Sequence, residues 1–122
     1  MNAIEQSSDT APIDLDVMRQ AVRRLLEPGP AAVPADDELV LLTEQLRGHV
    51  QLIIPVIERI AGKQPKDSVP RYCTLACVGE ARRRLSAQPS PRYGGALGYA
   101  RRLARVLSAL CEHHEKLAGE LP

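Results

Sequence analysis

Apolar residues recur every three or four positions along most of this chain, the period of an amphipathic helix rather than of a strand. The first stripe is Leu15, Met18, Val22 and Leu25. It predicts a helix from Asp14 or Asp16, either of which can cap it, to Glu27, where Pro28-Gly29-Pro30 stops it. The second stripe is the most regular. Leu39, Leu42, Leu46, Val50, Ile53, Ile57 and Ile60 step by 3, 4, 4, 3, 4 and 3, a heptad-like seam. This helix is expected from Asp36 or Asp37 to Ala61, with Gly62 ending it. Pro55 lies inside, where it lacks an amide and crowds the carbonyl of Gln51, so a kink is expected near Pro55.

A third helix is expected from Asp67 or Ser68 to Ala87, with Pro70 tolerated in its first turn. Its inward set reads as Cys73, Ala76 or Cys77, Glu80 or Ala81, and Leu85. A fourth is expected from Ala96 to Ala118, lined by Leu97, Ala100, Leu103 or Ala104, Leu107, Leu110 or Cys111, His114 and Leu117. Between them lie the proline-rich segment 28–35 and the turns 63–70 and 88–95. Residues 1–12 are polar and aperiodic and read as a disordered tail. Residues 13–122 read as one domain. Short connections between long helices favour antiparallel neighbours. The expected fold is therefore all-α, an antiparallel four-helix bundle in up-down-up-down order.

Composition narrows this picture. Aromatic residues make up only 2% of the chain, with neither Phe nor Trp, so the core must come from Leu, Ile, Val and Ala. The stacking platforms used by single-strand nucleic-acid binders are missing as well. Net charge is +1 but divided: residues 1–61 carry five basic and ten acidic side chains, residues 62–122 eleven basic and five acidic. Three cysteines, an odd number, argue against a disulfide framework. The polar N-terminal stretch carries no secretion pattern and no apolar run reaches membrane-spanning length, so a cytoplasmic setting and no membrane partner are expected.

Three constellations have chemical potential. Cys73 and Cys77 share one face of the third helix, and Cys111 and His114 share one face of the fourth. Antiparallel packing of those helices would bring thiolates and an imidazole together, a donor set suited to zinc. The competing reading is that free cysteines pack as small hydrophobes, with no cofactor. Arg71, Arg82, Arg83, Arg84, Arg92, Arg101, Arg102 and Arg105 cluster against a single acid, Glu80. Arg101, Arg102 and Arg105 lie near a helix start, where the dipole disfavours them. Such a pole could face an acidic protein, a phosphate-bearing ligand or nucleic acid, or simply be solvated. The third is His49 beside the seam, a potential base but more economically a structural histidine. Gly94-Gly95 with Gly98 lacks the context of a phosphate loop.

The segments LRGHVQLIIPVIE (46–58), PRYCTLACVGEARRRL (70–85) and ARRLARVLSALCEHHEKL (100–117), in that order, resemble a family of small uncharacterised actinobacterial proteins. That family is described as a domain of unknown function, sometimes as a natural-product biosynthesis protein. The resemblance implies a helical fold and an association with secondary metabolism, and assigns no catalytic residue. No catalytic signature stands out in the residues themselves. The leading expectation is a non-catalytic helical module that docks a protein partner or a second copy. One alternative is a binder or enzyme of small metabolites, with a pocket near Pro55 and polar groups from His49, Tyr99 and the arginines. Another is a nucleic-acid regulator using Arg82, Arg83, Arg101, Arg102 and Arg105, which the near-neutral charge and missing helix-turn-helix pattern make the weaker of the two.

Overall fold

Asp14 caps the first helix by accepting hydrogen bonds from the amides of Asp16 and Val17, two donors that a helix start leaves free. The helix it caps, α1, spans Leu15–Leu26. Helix α2 spans Asp36–Gly62, with Asp36, Asp37 and Glu38 against the positive end of its dipole. Helix α3 spans Val69–Ser86 and is capped by the Ser68 hydroxyl, which accepts from the Arg71 amide. Helix α4 spans Gly95–Glu120. These are the four helices expected, each boundary within two residues. The computed structural model describes residues 13–27 and 33–120; the expected tail over 1–12 and the middle of the proline-rich connection lie outside the described residues. Helix α2 is continuous through Pro55, whose missing amide leaves the Gln51 carbonyl without its helical donor.

The turn into α4 contains a short 3-10 segment, Pro91–Tyr93, that periodicity does not reveal. Gly94 and Gly95 follow with φ of 88° and 63°, left-handed backbone that a side chain resists. A Cβ on Gly98 would collide with the Tyr93 carbonyl oxygen. The three glycines thus reverse the chain tightly before α4.

The helices form the expected antiparallel bundle, and α4 is its centre. It packs against all three others and most extensively on α2, while α1 and α3 do not meet among the described residues. A helix with three neighbours needs a broad buried surface. Accordingly α4 buries Tyr99, Ala100, Leu103, Ala104, Val106, Leu107, Leu110, Cys111 and Leu117, more than one stripe. The α2 seam is buried as expected from Leu39 to Ile57, joined by Ile54 and Ala61, with Ile60 half-buried.

Helix α3 departs from expectation. It buries Thr74, Val78 and Ala81, with Cys77 and Leu85 half-buried, and leaves Cys73 and Ala76 exposed. Small apolar residues surround this helix, so its sequence admits two registers. The one adopted gives the Thr74 hydroxyl a partner in α4. It also lets Arg71 donate back to the carbonyls of Gly62 and Gln64 at the end of α2.

Candidate functional site

Because the inward face of α3 is rotated from the expected one, its outward face is apolar too. Val69 is 70% and Tyr72 76% exposed, and Pro70, Cys73, Leu75 and Ala76 are exposed beside them. The one charged side chain in this stretch, Arg71, is turned back onto the end of α2. The centre of the face runs Val69, Tyr72, Ala76, Gly79 and Arg83, in steps of 3, 4, 3 and 4. That is a second heptad-like seam with no partner helix among the described residues. Its apolar part, from Val69 to Ala76, is a contiguous strip of the kind that marks a contact surface on a small protein.

Several clefts border the helices. One, about 550 Å³, lies between the start of α2 and the α3–α4 turn, lined by Leu39, Val40, Thr43, Arg47, Pro89 and Tyr99 among others. It is at the opposite end of α2 from Pro55, where a pocket was expected. Its polar groups already have work. Tyr99 is buried and donates to the Arg84 carbonyl at 2.9 Å. One Arg47 nitrogen donates to the Leu85 carbonyl at 3.0 Å and to the Tyr99 hydroxyl at 2.6 Å. Together they satisfy carbonyls that the last turn of α3 leaves open. Arg47 is a residue that sequence reasoning passed over. Its position one residue after the seam leucine Leu46 is the only signal the sequence offers.

The expected arginine pole is divided among several surfaces. Arg82 pairs with Glu58 of α2 at 2.7 Å; Arg83 and Arg84 both pair with Glu80. Arg101 donates to the Leu25 carbonyl of α1, and Arg102 to the Tyr93 carbonyl while lying over that tyrosine ring. Arg84, Arg102 and Arg105 do converge with Cys77 and Glu80 on a shallow cleft of about 330 Å³ between α3 and α4. The Arg83 hydrogen bond, aided by the positive charge of Arg84, holds the Glu80 carboxyl below the usual carboxylate range.

The cysteines and histidines are likewise separated. Cys73 lines a third cleft of about 210 Å³ with Thr74, His113 and Lys116; Cys77 lines the arginine cleft; Cys111 is in the core, within electrostatic reach of Arg19. Burial pushes both the Cys77 and Cys111 thiols up, Glu80 adding to the first and Glu115 and Glu112 to the second. Among the described residues no three His, Cys, Asp or Glu side chains are grouped to hold a metal ion. His113, rather than His114, turns toward α3. Its Nδ1 is 2.9 Å from the Oγ1 of fully buried Thr74. That hydroxyl has no other acceptor among the described residues, so it donates to Nδ1 and leaves the imidazole proton on Nε2. Burial holds His113 below the ordinary histidine range, with Lys116 adding to it. Burial also lowers His49 and His114, and the His114 Nδ1 is buried without a partner among the described residues. His49 is half-buried on α2 and does not reach the cleft that Tyr99 lines.

No helix among the described residues is long and apolar enough to cross a membrane. A family model described as a family of unknown function (DUF6415) matches residues 16–119, nearly all of the helical bundle. No curated protein and no solved structure matches the chain.

Proposed function

The chain belongs to this family of unknown function, DUF6415, and we propose that it is a non-catalytic protein-interaction module whose docking element is the outward face of α3. The observation that carries this reading is the uncharged strip Val69–Tyr72–Cys73–Leu75–Ala76, exposed along the helix that needs it least for the core. A helix apolar on both sides is ordinarily buried on both sides. Among the described residues only the inner side is buried, so a protein surface is the natural cover for the outer one. The setting implied by the resemblance, an accessory to enzymes of natural-product biosynthesis in the cytoplasm, is part of the same proposal. The division of the arginines among Glu58, Glu80 and backbone carbonyls favours it over nucleic-acid binding.

The test is affinity capture from the host lysate, comparing the wild-type chain with a Tyr72→Glu variant of unchanged helical circular dichroism. A protein held by the first and lost by the second, and rebinding as a purified pair, is the expected result. Capture of the same proteins by both baits sinks the reading.

A further inference from the structure

The same α3 face has a size and charge pattern that fits one occupant in particular. Resting on the reading above, we infer that a second copy of this chain docks there, α3 against α3 in antiparallel orientation about a two-fold axis near Leu75 and Ala76. The exposed seam has a bulky half and a small half. Val69 and Tyr72 occupy the N-terminal part, Ala76 and Gly79 the C-terminal part. An isologous contact pairs each surface with itself turned around, so it needs this asymmetry to interdigitate. Antiparallel pairing sets Tyr72 of each copy over Gly79 of the other, half-buried and without a side chain, where the flexible Arg83 side chain must swing aside to admit the ring. The sole atom near a Cβ built on Gly79 is the far end of Arg83.

Charge follows the same reversal. Asp67 is exposed just before α3, and Arg83, although bonded to Glu80 of its own chain, keeps 70% of its side chain exposed near the end of α3. Antiparallel pairing brings Arg83 of one copy level with Asp67 of the other at both ends of the seam. Parallel pairing would instead place Arg83 on Arg83 and Tyr72 on Tyr72, joining like charges and leaving Ala76 and Gly79 facing each other across a gap. A partner of unrelated sequence has no reason to match a strip whose two halves complement one another. The strip is about three helical turns long, shorter than a standard interface of roughly 800 Å² per partner would need by itself. The dimer is therefore expected to be reversible, dissociating at micromolar concentrations.

Sedimentation equilibrium of the purified full chain tests this. The wild type is expected to shift from monomer to dimer with concentration, and Tyr72→Glu to weaken the dimer at least about thirtyfold, as for a central aromatic anchor. Leu41→Glu, on the exposed surface of α2, is the control and should leave it unchanged. Pairing Asp67→Lys with Arg83→Glu should restore association that Arg83→Glu alone weakens. A wild-type chain that stays monomeric throughout, or a dimer indifferent to Tyr72→Glu, overturns the inference. A monomeric chain that nevertheless captures another protein through Tyr72 would leave the interaction reading standing and remove only the second copy. Failure of the charge exchange to restore association overturns the antiparallel arrangement.

Discussion

Helices α2 and α3 lie side by side with a similar apolar share, yet they spend it differently. Helix α2 gathers most of its large aliphatics on one side, where Leu46, Val50, Ile53 and Ile57 have no exposed surface. Past Val40 and Leu41, which are exposed near its start, its outer side carries Glu44, Gln45, Gln51 and Arg59. Helix α3 divides its apolar residues between two sides. The inner one takes the small and β-branched residues Thr74, Val78 and Ala81, and the outer one takes Val69, Tyr72 and Leu75. One-sided burial makes a core helix, and two-sided apolarity makes a helix that faces the core and a second surface at once. The sorting by size matters, since the bulkiest α3 side chain, Tyr72, points away from the molecule's own interior.

The largest expected effect tests that division directly. Ile53→Ala removes methyl and methylene groups from a fully buried position and leaves a cavity, so it should cost about 2–5 kcal/mol in urea unfolding. Tyr72→Ala removes a larger side chain, but one already in water, and should change stability by no more than about 0.5 kcal/mol. Both are to be measured at concentrations too low for association. A Tyr72→Ala penalty close to that of Ile53→Ala would mean that Tyr72 is held by this chain's own fold, and the contrast between the helices would collapse.

The same contrast explains what the sequence discloses. The α2 seam is legible because one regular stripe on a polar background has a single buried solution. The α1 stripe and the α4 leucines are legible for the same reason. On α3 the expected set of Cys73, Ala76 or Cys77, Glu80 or Ala81, and Leu85 holds for Cys77, Ala81 and Leu85 and fails for Cys73 and Ala76, because apolar residues at 69, 72, 73, 76 and 77 satisfy helical periodicity on more than one face. What decides between the faces is outside α3: His113 receiving the Thr74 hydroxyl, and α2 carbonyls receiving Arg71. The misread register then misplaced the expected chemistry. Cys73 was set against Cys111, whereas it borders His113 and Lys116. Tyr99 is expected as a polar group of a pocket near Pro55, but its role in closing the end of α3 depends on Arg47, which only the folded alignment brings within reach.

A middle-sized effect sharpens the comparison from the inner side of α3. Thr74→Val keeps the shape and removes the donor to His113, leaving a half-buried ring nitrogen unsatisfied, at a cost of about 1–3 kcal/mol at neutral pH. This cost should depend on pH in a defined sense. His49, His113 and His114 are all held below the ordinary value of 6.5 by burial. The unfolded chain therefore takes up protons first as pH falls. The stability due to the neutral rings is fully present above 6.5 and is lost as pH drops through the folded values. Protonation of His113 fills Nδ1 and ends the Thr74 donation even in the wild type. Chemical unfolding of both proteins above pH 6.5 and below the pH at which the folded wild-type His113 ring is seen by NMR to titrate should show the Thr74→Val penalty shrinking in acid. A penalty that stays constant through that titration would show that the hydroxyl does not donate to this ring.

The smallest effect concerns the boundary where the two helices meet solvent together. Arg82 of α3 reaches Glu58 of α2 at 2.7 Å, but the side chains remain 55% and 37% exposed. Water screens such a pair, and holding two long side chains in one geometry costs rotamer entropy. Arg82→Ala should therefore cost no more than about 0.5 kcal/mol at low salt. In 1 M salt, where the screening length falls to about 3 Å, the difference should vanish. The pair fixes the rotation of neither helix, since the contact of buried Thr74 with His113 already settles which side of α3 faces inward. A loss well above 1 kcal/mol that persists in high salt would reverse that order of causes. The register of α3, and with it the orientation of the Tyr72 face, would then be set by its charges rather than by its buried residues.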